Sequence, residues 1–182
     1  IPYVTSYYSE RWGFCMSENT KNHLPEGDYQ VFIDAEHIEG KLRLGEAIVN
    51  GNTSDEIMFS TYICHPSMAN NETSGPVVVS ALIQYLRENY PKPKLTYRFL
   101  FVPETIGAIA YLSNEHKKLK SNTLAGFVIS CVGDERAYSH VKSKYGNTLA
   151  DHAIAAGIFG KPNVRTYSFL NRGWDERQCC AP

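Results

Sequence analysis

Nowhere does this sequence run for about 18 apolar residues without interruption, so nothing in it reads as a membrane-spanning helix. It lacks the charged-then-apolar leader of a secreted protein. It also lacks a surplus of positive charge. The 18 Lys and Arg stand against 19 Asp and Glu, for a net charge of −1. Little is left to hold a phosphate backbone, so no nucleic-acid contact is expected from this segment. Cysteine is sparse and odd in number: Cys15, Cys64, Cys131, Cys179 and Cys180, with no repeated C-x-x-C. That argues against a disulfide framework and a zinc knuckle, and fits reduced thiols in a cytoplasm. There is no G-x-S-x-G, no P-loop, no G-x-G-x-x-G, no internal repeat and no low-complexity stretch.

What is present suits a packed core. Hydrophobic residues make up 43% of the 182 positions and charged ones 20%, with 12 Tyr and 8 Phe. The chain opens on Ile1 and stops at Cys180-Ala181-Pro182 without a polar tail. Both ends are expected to be cuts through a longer chain.

Residues 1–52 are expected to belong to a small β unit. Asp28–Ile33 and Lys41–Val49 alternate apolar with polar, and Gly40 and Asn50-Gly51 supply turns. From Asp55 onward the rhythm becomes strand, helix, strand, helix. Glu56–Cys64, Leu95–Val102 and Leu124–Val132 read as buried strands, with Ala137–Val141 and Val164–Phe169 as shorter ones. Gly75–Asn89 carries Val78, Val79, Leu82, Ile83 and Leu86 at helical spacing. Ile106–Leu119 and Asn147–Ile158 are further helices, the last capped by Asn147 or Thr148. The expected fold class is α/β: a three-layer sandwich whose mixed, mostly parallel sheet spans residues 53–182.

In such sheets, ligands sit beyond the carboxyl ends of the strands. Three core strands end there in polar residues: the first in Cys64-His65-Pro66-Ser67, the second in Pro103-Glu104-Thr105, the third in Gly133-Asp134-Glu135. Imidazole with carboxylates is the ligand set of a catalytic Zn²⁺ that keeps a water in its open position. The blander alternative makes each a polar cap on a strand or on the following helix. Glu72, in the loop after His65, offers a further metal ligand but reads first as a first-turn charge, with Asn71, Thr73 or Ser74 as N-cap. Asp175 and Glu176 are ligands, acceptors that orient a ligand, or part of an exposed turn with Arg177. Cys64 and Cys131 read as buried inert thiols.

Four blocks carry a family resemblance: SYYSERWGFC at Ser6–Cys15, STYICHPSMANNETSG at Ser60–Gly75, YRFLFVPETIGAIAYL at Tyr97–Leu112 and GWDERQCCAP at Gly173–Pro182. They resemble the aminopeptidase-like proteins of bacterial polysaccharide-biosynthesis gene clusters, which are similar in turn to the co-catalytic zinc aminopeptidases. The resemblance implies a phosphorylase/hydrolase-like α/β sandwich with an inserted β domain and a winged-helix domain following it. It implies one or two zinc ions and a small peptide-like, aminoacyl or amino-sugar substrate. His65 matches the first metal-binding His, and Glu104 the general base that opens an E-E-x-G motif. Asn71 stands where the metal-bridging Asp of N-D-N-x-S-G is expected, Thr105 at the second Glu, and Cys131 at a further Asp ligand with Asp134 close by. Asp175 matches the Asp of an S-D-H-like turn. The last ligand His is expected beyond Pro182. A metal-dependent hydrolase of an amide bond follows from the matches; a catalytically inactive binding domain follows from Asn71 and Thr105.

Overall fold

The computed structural model describes residues 13, 15–34, 36, 38–65 and 68–171. The chain divides into two compact units, Ile1–Glu39 and Gly40–Pro182. In the first, the short helix α1 (Glu18–Asn22) starts at Ser17, whose hydroxyl accepts the Thr20 N–H at 3.1 Å. Asp28–Ile33 forms no strand despite its alternation, and Phe32 and Ile33 are exposed. Alternation tells which face of a strand would be apolar, but a strand also needs a neighbour to bond.

The second unit runs β1 (Gly45–Val49), β2 (Glu56–Tyr62), a π-helical turn (Ala69–Thr73), α2 (Ser74–Asn89), β3 (Thr96–Val102), α3 (Ile106–Asn122) and β4 (Thr123–Ile129). It continues with β5 (Tyr138–Val141), α4 (Leu149–Ile158) and β6 (Val164–Tyr167). The main sheet has the order β1-β3-β2-β4, with β2 parallel to both β3 and β4 and β1 antiparallel to β3. This is the mixed, mostly parallel sheet expected. β5 and β6 pair in parallel as a separate sheet. Among the described residues no helix is long and apolar enough to cross a membrane.

The boundary between units falls at Glu39/Gly40 rather than at residue 52. Gly45–Val49, grouped by sequence with a small β unit, is a strand of the main sheet, registered from Gly45 opposite Phe101 to Val49 opposite Tyr97. A period of two marks a half-buried strand without saying which sheet it joins. Packing settles the matter: Ala47 and Val49 share a cluster with Val79, Leu86 and Phe99.

Successive residues of β3 point to opposite faces. Phe99 packs under α2 with Val79 and Leu86, while Leu100 and Val102 pack under α3 with Met58, Tyr111 and Leu119. The helices thus cover the two faces of the sheet. Beside Leu100 on the α3 side lies Arg98, 2% exposed. Its guanidinium donates to Glu56 from Nε at 3.0 and 3.1 Å and from Nη2 at 2.9 Å, and to the Tyr111 hydroxyl at 3.0 Å. Glu46 accepts from both Arg98 and Tyr111, and Thr123 donates to Glu56 at 3.1 Å. Burial alone would lower the Arg98 pKa; the bonds to Glu56, with Tyr111 and Glu46, raise it above the ordinary value instead. One buried cation therefore ties all four strands of the main sheet to α3.

The smaller sheet is braced by Asp151. Thr148 caps α4, and the Asp151 carboxylate accepts the Thr148 N–H, the Ser143 N–H and the Ser143 hydroxyl at 2.8, 2.8 and 2.6 Å.

Candidate functional site

β2 and β3 are neighbours and parallel, so their carboxyl ends open at the same place. The Ile63 N–H still bonds Val102 O at 3.1 Å, carrying the pairing one residue past β2 and setting Cys64 and His65 just outside the sheet. After β3 comes Pro103-Glu104-Thr105. Thr105 has φ 61° and ψ −67°, and the Ile106 N–H bonds Glu104 O at 2.7 Å. This is the rare γ-turn of positive φ, a strained arrangement for a residue with a Cβ. It turns the chain within three residues and starts α3 directly behind Glu104. Gly107 makes the closeness possible, because a Cβ there would lie 2.7 Å from Pro103 Cδ and 3.0 Å from Val102 Cβ.

The third contributor comes from the π-helical turn Ala69–Thr73. The wider turn directs Glu72 inward, where it is 5% exposed. Its carboxylate accepts the Cys64 N–H at 2.8 Å and bonds His65 Nδ1 at 2.7 Å. Burial raises the Glu72 pKa, but the bonds from Cys64 and His65 outweigh it and hold the carboxyl below its ordinary value. An ionised carboxylate can only accept, so His65 Nδ1 is the donor in that bond. The Cys64 sulfur lies 3.2 Å from His65 Nδ1 and accepts the Glu104 N–H at 3.4 Å. Burial, together with the Glu72 and Glu104 carboxylates, pushes the thiol up to about 11 despite that N–H.

One donor atom each from Cys64, His65, Glu72 and Glu104 lies within 4.8 Å of all the others. One imidazole nitrogen, two carboxylate oxygens and one sulfur form a donor set that Zn²⁺ accepts. Ligands on a tetrahedral zinc stand roughly 3.3–3.6 Å apart, from bond lengths of about 2.0 Å to N or O and about 2.3 Å to S. An ion bound at His65 Nδ1 would replace the proton directed at Glu72, and the spacings of 2.7 Å to Glu72 and 3.2 Å to the Cys64 sulfur would open by roughly 0.3–0.6 Å. With the His65 side chain 48% exposed, the cluster is reachable from solvent.

The other expected site residues meet elsewhere. Asn71 donates from Nδ2 to the Cys131 sulfur at 3.4 Å, and Asn71 O accepts the Ser130 hydroxyl at 3.2 Å. Asn70 accepts the Gly133 N–H at 2.8 Å and donates to Asp134 at 2.9 Å, while Ser74 accepts the Val132 N–H at 3.0 Å. The entry into α2 is thereby clasped to the loop after β4, where Cys131 takes a left-handed φ of 54°. Asp134 is held by Arg136 through bonds of 2.9 and 2.6 Å, which keep its carboxyl well below the usual range. Asp175, Glu176 and Arg177 lie outside the described residues. The structure thus brings the expected His65 and Glu104 together with Glu72, which the sequence ranked first as a first-turn charge and second as a ligand, and with Cys64, which it read as an inert thiol. The signal for Glu72 was its place seven residues after His65 in a loop that must return to the strand end.

Residues 17–182 match a protein family described as "Domain of unknown function (DUF4910)". A Clostridium acetobutylicum protein named "Putative polysaccharide biosynthesis protein with aminopeptidase-like domain" is 39% identical over 183 residues, covering 100% of this chain and 42% of its own length. The chain thus spans about two-fifths of that relative. A crystal structure of a putative peptidase from Clostridium acetobutylicum superposes with a TM-score of 0.87 at 38% identity, over 99% of this chain and 42% of that one. A glutaminyl cyclase from an Acidobacteriales bacterium shares the fold, with a TM-score of 0.58 at 15% identity over 78% of this chain and 56% of its own.

Proposed function

The chain belongs to the DUF4910 family, and from that premise we propose that it carries the site of an aminopeptidase-like, metal-dependent hydrolase. Its substrate would be the amide bond of a small peptide-like, aminoacyl or amino-sugar molecule, in bacterial polysaccharide biosynthesis. The observation that carries this reading is the meeting of His65, Glu72 and Glu104 at the carboxyl ends of two adjacent parallel strands.

His65 and Glu72 would hold a divalent ion such as Zn²⁺. When bound, the ion would polarise the substrate carbonyl and acidify water. Glu104 takes a proton from the attacking water as its oxygen adds to the carbonyl carbon. The same carboxylic acid then gives that proton to the departing nitrogen as the C–N bond breaks, so the amine leaves neutral and Glu104 ends as it began. The strained turn at Thr105 supports the assignment, because strain of this kind collects where a side chain must be held in one place.

The test is metal content after dialysis, beside His65→Ala, followed by amidase assays on wild type and Glu104→Gln. Zinc retained by wild type, lost in His65→Ala, and turnover abolished in Glu104→Gln would support the reading. Turnover that survives chelation and the Glu104 change would overturn it. The amide of Asn71, turned toward the Cys131 sulfur, favours a second reading, a site that binds such a substrate without cleaving it. Saturable binding with no product after long incubation with metal would favour that one.

A further inference from the structure

We propose that Cys64 binds the metal directly as a thiolate, making this a sulfur-containing centre that selects borderline and soft divalent ions over Mg²⁺ and Mn²⁺; the inference rests on the metal-dependent reading above. Three features of the geometry support it. First, the sulfur belongs to the cluster in space, 3.2 Å from the His65 ring nitrogen and within 4.8 Å of the Glu72 and Glu104 oxygens. Second, its backbone is pinned on both sides. The Ile63 N–H bonds the end of β3 and the Cys64 N–H bonds Glu72, so the side chain projects from a fixed point. Third, the Glu104 N–H is aimed at the sulfur. That bond fixes the direction of the sulfur relative to the Glu104 backbone.

The charge count agrees. Residue 71 offers an amide, and its nitrogen is committed to Cys131. A divalent ion held by His65 and Glu72 alone would keep a surplus positive charge in a half-buried place. A Cys64 thiolate neutralises that charge, so the proposed proton-moving role of Glu104 does not compete with metal neutralisation. Thiolate ligation also discriminates among ions, because Mg²⁺ and Mn²⁺ prefer oxygen while zinc, cobalt and cadmium accept sulfur.

The experiment loads the protein with one equivalent of Co²⁺, and separately of Cd²⁺, and records the near-ultraviolet absorption. A sulfur-to-metal charge-transfer band is expected in wild type and in Cys131→Ser and Cys179→Ser/Cys180→Ser controls. It is expected to vanish in Cys64→Ser, with zinc affinity falling by more than the roughly 10–100-fold typical of losing an outer partner. X-ray absorption on the wild-type zinc form gives a check that needs no variant, with one sulfur expected at about 2.3 Å. Metal bound with no sulfur neighbour, or a band unchanged in Cys64→Ser, overturns the thiolate and leaves the hydrolase reading standing. If neither wild type nor any variant binds metal, both fall.

Discussion

Arg98 gives the sharpest test of the packing. It is 2% exposed, its main partner Glu56 is 1% exposed, and three of its N–H···O contacts go to that one carboxylate. Arg98→Ala would leave Glu56 buried, with the Thr123 hydroxyl as the donor still in place among the described residues. Stranding a buried charge costs about 3–5 kcal/mol. With a urea m-value of about 2 kcal/mol/M, the unfolding midpoint should fall by roughly 1.5–2.5 M. Replacing both partners, Arg98→Met with Glu56→Gln, removes the charges and keeps most of the volume, so the double variant should recover the greater part of the loss. Glu56 is eight residues before Cys64 on extended chain, roughly 25 Å away at about 3.3 Å per residue. Zinc uptake by the folded fraction should therefore be unchanged. A single variant that loses less than about 1 kcal/mol, or a double variant no more stable than Arg98→Ala, would refute the reasoning.

Two further outcomes follow from the site's scaffold. Glu72→Gln keeps one acceptor and sets an amide against the other donor, so stability should drop by about 1–3 kcal/mol in urea titrations at neutral pH. Because the folded Glu72 pKa lies below its ordinary 4.5, its stabilisation is complete above that pH and fades as pH falls through the lowered folded value. The Gln variant should lose that part of the acid dependence, and an unchanged acid limb would count against the bonding described. Gly75→Ala would set a Cβ 2.2 Å from Thr61 Oγ1 and 2.4 Å from Ile129 O, the latter backbone that cannot swing aside. It should cost about 1–3 kcal/mol and lower the melting temperature by several degrees; a melt matching wild type would show that α2 can slide.

The alternation of helix and strand from Asp55 was legible because each element carries its own period. Val79 and Leu86 face the sheet as the spacing of α2 required, and β2, β3 and β4 appear where the apolar runs placed them. The strand-end rule anticipated that His65 and Glu104 lie together because β2 and β3 are adjacent. It did less for Asp134, since β4 stops at Ile129 and the loop beyond is clasped by Asn70, Asn71 and Ser74. Glu72 was ranked low as a ligand because of phase. On an α-helical period it reads as an outward first-turn charge, and the π-helical turn rotates it inward. Gly45–Val49 was recognisable as a strand but not as a neighbour of β3, because register depends on a partner fifty residues away.

The parallel pairing of β2 with β3 and β4 also sets when the donor cluster can exist during folding. Glu56 finds Thr96 on one side and Thr123 on the other, and no short hairpin joins these strands. Such pairings close long loops and form slowly. Cys64, His65 and Glu72 are close in sequence, but Glu104 arrives only with β3. A partly folded chain could offer an ion three of the four donors, never the Glu104 carboxylate. An ion captured early would therefore bias the search toward the native sheet, and one captured by the finished cluster would slow its unfolding.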